Sequence, residues 1–128
     1  MLQGGRTAIA VSLTEETTGA VVARMAALSA VADIFEVRAD FVRDLDLGAV
    51  LEARTKPILF TCRPESEGGL WPDADAAGRR ALLRQSVDLG FDLVDVEARA
   101  GFDEIVAAKA GRGLVLSWHD FEGTPQDL

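Results

Sequence analysis

A single cysteine, Cys62, and a single histidine, His119, stand in a chain of 128 residues. One thiol closes no internal disulfide and supports no cysteine-rich metal centre. One imidazole among scattered carboxylates has no ligand spacing for zinc. Positive charge is scarce as well: 13 Lys+Arg face 21 Asp+Glu, for a net charge of −8. A nucleic-acid binder would carry a basic face, and an anionic membrane would repel this balance, so neither is expected as a partner. No apolar run approaches the roughly 20 residues that a membrane-crossing helix needs. A basic-then-apolar leader, internal repeats and low-complexity tracts are also missing. Gly4-Gly5 precedes the first apolar run instead of following it, so it is no phosphate loop. These absences lead us to expect a soluble protein of the reducing cytoplasm with a small ligand. That ligand can still be an acid, because a few arginines in a cleft set the local field.

What is present is a regular alternation. Hydrophobic residues make up 48% of the chain, enough for one domain over residues 1–128 with a real core. Apolar and β-branched runs at Thr7–Leu13, Asp33–Asp40, Pro57–Arg63, Phe91–Ala98 and Gly113–Phe121 read as strands. Between them lie stripes at helical spacing: Val21, Val22, Met25 and Leu28; then Leu47, Val50 and Leu51; then Leu82, Leu83, Val87 and Leu89. A fourth, weaker helix spans about Phe102–Ala110 with Ile105 and Val106. Thr14-Glu15-Glu16 puts acids in a first helical turn, and Gly90 and Gly111 sit where helices stop. Strands separated by helices run parallel, and nearly unbroken apolar strands are covered on both faces. The expected class is α/β, and in such folds reactive groups gather at the carboxyl ends of the strands.

Polar residues occur at those ends. Period 2 puts Glu36, Arg38 and Asp40 on one face of the second strand. They read equally as a structural ion network or as the wall of a wet cleft. Arg63 stands where the third strand opens into Pro64–Asp75, suited to gripping a carboxylate or a hydroxyl pair, or simply to solvent. Gly68-Gly69 gives that loop backbone freedom to close over a ligand. Asp95 and Glu97 share a face of the fourth strand and suit either proton-transfer support or pairing with Arg38 and Arg63. His119, ending the fifth strand, can exchange protons near neutral pH or serve as a hydrogen-bonded structural residue. Trp118 and Phe121 read as packing residues.

The order of these motifs is more specific than any one of them. Glu-x-Arg-x-Asp, Thr-Cys-Arg-Pro with Glu-Gly-Gly, Val-Asp-Val-Glu, then Ser-Trp-His-Asp-Phe with Thr-Pro resembles type I 3-dehydroquinate dehydratase from Ser12 to Pro125. The resemblance implies an eight-stranded (β/α) TIM-type barrel, of which this chain carries the first five strands. It implies dehydration of 3-dehydroquinate to 3-dehydroshikimate in the shikimate pathway, through a lysine imine and without a metal or an organic cofactor. It assigns His119 as general acid/base, Glu67 as the carboxylate that orients it, in preference to Glu65, and Asp95 as an assisting group. Ser12, Glu36, Arg38 and Arg63 match substrate-binding positions. The chain departs from the family in its lysines. Only Lys56 and Lys109 occur, both expected at the amino-end face, whereas the family's imine lysine lies on a sixth strand. Inactivity of this chain by itself follows as an expectation, as does pairing through an open sheet edge, in a homodimer or with another chain. Two rivals stay open: a non-catalytic remnant that binds a metabolite or a partner, and a flavodoxin-like domain with strand order 2-1-3-4-5.

Overall fold

A computed structural model describes residues 5–109 and 112–123. Five strands form one parallel sheet: β1 (Ala10–Leu13), β2 (Ile34–Arg38), β3 (Ile58–Thr61), β4 (Leu93–Glu97) and β5 (Leu114–Ser117). Four helices alternate with them: α1 (Thr18–Leu28), α2 (Leu47–Glu52), α3 (Ala76–Leu89) and α4 (Asp103–Lys109). The spatial order is β1-β2-β3-β4-β5, which rules out the flavodoxin-like order and matches a barrel segment. The expected helix end at Ala110, the stop at Gly111 and Thr124-Pro125 lie outside the described residues.

Helix starts are set by side-chain caps. The Thr17 hydroxyl accepts from Ala20 N, Asp46 from Ala49 N and Asp75 from Gly78 N. Glu15 and Glu16 therefore precede α1 and do not lie in its first turn, contrary to the sequence reading; Asp44 reaches over instead and accepts from Thr18 N at 2.8 Å. Gly90 ends α3 as expected. Val21 and Met25, one turn apart, turn α1 onto the sheet. On α3 the buried line is Arg79, Leu83 and Ser86, while Leu89 faces solvent.

The core sits between the central strands and the helices, around Phe35, Val37, Phe60, Leu83, Phe91, Val94 and Ile105. Phe60 and Phe91 meet edge-on, with centroids 5.1 Å apart. At the amino ends of the strands, Asp33 accepts from Ile9 N and Asp92 from Ile58 N, each at 2.8–2.9 Å. These aspartates tie each connection to the start of a neighbouring strand. β5 departs from the expectation of strands covered on both faces. It is only half-buried, and Leu116, Trp118 and Phe121 are exposed. Trp118 and Phe121 are thus not core residues. Their strand ends the sheet, so no further strand covers them among the described residues.

Candidate active site

The carboxyl ends of the strands carry linked polar clusters. In the first, Glu36 accepts from the Ser12 hydroxyl at 2.6 Å and from the Thr61 hydroxyl at 2.7 Å. The register pairs Ser12 with Glu36, which puts both at one height of the sheet. No ion pair reaches Glu36 among the described residues. Two hydroxyls hold it as an acceptor, a setting suited to receiving a ligand hydroxyl.

In the second cluster, Arg38 grips Asp40 through Nε and Nη2 at 2.9 and 2.7 Å. Asp40 lies in a one-turn 3-10 segment, Ala39–Phe41, and its fully buried carboxylate also accepts from Arg63 N and Leu70 N. Burial pushes the Asp40 carboxyl up. The Arg38 guanidinium and the two backbone N–H groups outweigh this and hold it below the usual carboxylate range. One side chain thereby joins the rims of β2 and β3 to the loop beyond.

The third cluster surrounds Arg63, which is 7% exposed. Nη1 donates to Glu97 at 2.7 Å and to the Ser117 hydroxyl at 2.9 Å, and Nη2 donates to Asp95 at 3.0 Å. Ser117 in turn donates to Asp95 at 2.6 Å. Arg79 reaches Glu97 from α3, and its guanidinium stacks 4.8 Å from the Phe102 ring centroid. Two arginines and two carboxylates balance one another. Burial raises the Glu97 carboxyl, with Arg79 and then Arg63 pulling it down and Asp95 adding to the rise. Asp95 is taken up by Arg63 and Ser117, and its hydrogen bonds do not include His119.

The fourth cluster is His119 with Glu67. Glu67, only 4% exposed, accepts from the His119 backbone N–H at 3.0 Å and meets the ring Nδ1 at 3.1 Å through the same Oε1. An oxygen already accepting one N–H acts as acceptor toward Nδ1 too. This contact suits a ring N–H on Nδ1, the tautomer in which Nε2 carries a lone pair to take a proton. Glu65 points elsewhere and accepts from Asp73 N. The loop from Pro64 folds back so that Trp71 N donates to the Arg63 carbonyl and Gly69 N to the Pro64 carbonyl. A β-carbon on Gly69 would stand 2.1 Å from the Arg63 carbonyl oxygen, so this glycine supplies room and not flexibility. We expect Gly69→Ala to destabilise the fold by about 1–3 kcal/mol and to loosen Glu67 from His119. Urea unfolding and the His119 ring signals in NMR check this, and an unchanged midpoint would refute it.

Two cavities, of about 200 and 340 Å³, flank the Glu67–His119 pair, and Ser66 and Arg99 line both. The Arg99 guanidinium carbon lies over Trp118, 4.2 Å from the ring centroid. Both lysines are remote from the clusters: Lys109 donates to the Phe91 and Asp92 carbonyls before β4, and Lys56 precedes β3. Cys62 is equally unavailable as a nucleophile, since burial foremost and Asp40 next push its thiol up to about 12.

Sequence reasoning gave no site role to Arg79, Thr61 or Ser117. A signal existed for each. Arg79 lies four and seven residues before the buried Leu83 and Ser86, and a charge on that stripe demands a partner. Strand alternation puts Thr61 with Arg63, and Ser117 with His119.

Comparison with known proteins adds an independent line. The family model for type I 3-dehydroquinase matches residues 9–128. The chain is 36% identical over 98 residues to the 3-dehydroquinate dehydratase of Desulfotalea psychrophila, covering 73% of this chain and 43% of that protein. It superposes on the 3-dehydroquinate dehydratase of Enterococcus faecalis with a TM-score of 0.83 and 29% identity, over 98% of this chain and 58% of that one. The type I enzyme of Clostridium difficile, solved with covalently modified comenic acid, gives a TM-score of 0.77 at 28% identity, over 95% of this chain and 54% of that one. The chain thus spans about half the length of these relatives.

Proposed function

Because the chain belongs to the type I 3-dehydroquinase family, we propose that its four clusters are the substrate-gripping and proton-transfer part of a 3-dehydroquinate dehydratase site. The observation that carries this reading is the Glu67–His119 pair, which leaves an imidazole Nε2 to work as a base at the rim that Glu36, Arg38 and Arg63 share. Ser12 and Glu36 hold substrate hydroxyls, and Arg38 and Arg63 hold the carboxylate side. Asp95 keeps Arg63 in place and acts on the substrate only through it. The lysine comes from outside these residues, since Lys56 and Lys109 belong to the opposite rim.

The chemistry follows from the groups. A lysine amine condenses with the substrate ketone and expels water, giving a protonated imine that accepts electrons. His119 Nε2 removes a proton from the carbon next to it, forming an enamine. The enamine electrons return as the neighbouring hydroxyl leaves, taking a proton from His119 and departing as water. Hydrolysis then frees 3-dehydroshikimate and the lysine. The net change is the loss of one water. That the solved C. difficile relative bears a covalently modified small molecule supports a covalent route.

The exposed edge of β5, with Leu116, Trp118 and Phe121 beside it, is where a further parallel strand pairs, from a second copy or from a lysine-bearing remainder. The test is to incubate the chain with 3-dehydroquinate and borohydride and weigh it. No adduct is expected from these residues alone. Adduct and turnover are expected once a polypeptide with the remaining strands is added. A stable adduct on Lys56 or Lys109 would sink the reading, and binding without turnover in the completed assembly would favour the non-catalytic remnant.

A further inference from the structure

α3 packs on the sheet through Arg79, Leu83 and Ser86, so one residue of its buried line is a cation. Arg79 is 5% exposed. Its Nη1 donates to one Glu97 oxygen and to the Cys62 carbonyl at 3.4 Å, and Phe102 lies against its guanidinium face. The other Glu97 oxygen accepts from Arg63 at 2.7 Å. A single carboxylate is therefore shared between a helix cation and the arginine at the end of β3. The titratable and charged groups facing Glu97 are Arg63 and the buried Cys62 thiol just beyond β3, Arg79 from α3 and Asp95 from its own strand, and Ser117 of β5 bonds both Arg63 and Asp95.

The charge balance shows what this sharing does. Without Arg79, Arg63 would lie between two buried carboxylates, one negative charge in excess. In a dry site two like charges so close do not both persist, and one takes a proton. A protonated Glu97 is a poor acceptor for Arg63, whose guanidinium would then follow Asp95 alone. With Arg79 in place two cations face two carboxylates, and Glu97 and Asp95 hold Arg63 from two directions.

We propose that Arg79 is a positioning residue of this site: by holding Glu97 from the helix side, it fixes the Arg63 guanidinium in the orientation that meets the ligand. The proposal rests on the reading of Arg63 as a substrate-binding residue. Arg79 touches no reacting atom and acts only through Glu97.

The experiment compares the wild-type chain with R79M and R79K by carbon NMR of the Glu97 carboxyl, nitrogen NMR of the Arg63 guanidinium, and titration with 3-dehydroquinate. In R79M the Glu97 titration should move up by about 1–3 pH units and the Arg63 signals should shift. Dehydroquinate affinity should fall about tenfold or more, as for other small misplacements of a binding group. R79K, which returns the charge, should restore all three. A purely packing role predicts the reverse order, with methionine tolerated and lysine not. Glu97 and Arg63 signals in R79M identical to wild type would overturn the proposal. If the wild-type chain does not bind dehydroquinate, the substrate reading fails, and the Glu97 and Arg63 signals still decide the role of Arg79. Should R79M not fold, R79M/E97Q takes its place. Folding with Arg63 signals like those of E97Q supports the proposal, and failure to fold overturns it.

Discussion

Replacing His119 by alanine in a barrel completed with the remaining strands should, on the role proposed for it, lower kcat by about 10²–10⁴-fold, the usual worth of a general acid/base. KM for 3-dehydroquinate should stay within a few-fold, because Glu36, Arg38 and Arg63 are untouched. Stability should hardly change, since the imidazole is 35% exposed and its loss opens no core cavity. Glu67→Gln should be milder. The amide oxygen still accepts from the His119 N–H groups, but the carboxylate charge that favours an imidazolium is gone, so a loss of about 10–100-fold is expected. The pH profile separates the two variants. H119A should lose the limb that reports the base, whereas E67Q should keep it. A rate for H119A within fivefold of wild type would remove His119 from the chemistry.

Asp40→Ala should cost about 3–5 kcal/mol of folding stability, the range seen when one partner of a buried ion pair is removed. The carboxylate is fully buried, and its loss strips a bidentate partner from Arg38 and acceptors from the backbone of Arg63 and Leu70. Arg38 cannot simply swing to water, since its guanidinium lies over the Phe41 ring, 5.0 Å from the centroid. Asp40→Asn, which keeps one acceptor without the charge, should cost about half as much. Urea unfolding at neutral pH measures both, and a change under 1 kcal/mol for the alanine variant would refute the account.

The pH dependence carries a sign that can be checked. Asp40 has a folded value below its ordinary one, so its contribution is full above the usual carboxylate range and is lost as pH falls through the lowered value. Glu97 is displaced the other way: its contribution is full below the ordinary value and is lost as pH rises through the raised one. Asp40→Asn should therefore flatten the acid limb of stability against pH, and Glu97→Gln the fall on the higher side.

Residue spacing alone revealed the alternation of strands and helices, because periods of 2 and 3.6 are local properties that burial imposes on each segment separately. It also placed Glu36, Arg38, Asp95, Glu97 and His119 at strand ends, since an ordered α/β chain turns at the same rim each time. The choice of Glu67 over Glu65 came from the family resemblance and the Gly68-Gly69 pair that Glu67 abuts, and the structure brings Glu67 to a histidine 52 residues away. Partners were a different matter. Whether Arg63 faces Asp95 and Glu97 or open solvent depends on the register of β3 against β4 and on Ser117 from β5. That Arg79 enters the site, that Asp40 bonds the backbone beyond β3, and that Trp118 is left exposed all depend on which elements become neighbours. A chain can advertise where its charges must go by the cost of burying them unpaired. Which charge answers which is settled only when distant segments pack, because the energy of an ion pair resides in a distance, and spacing along the chain does not contain it.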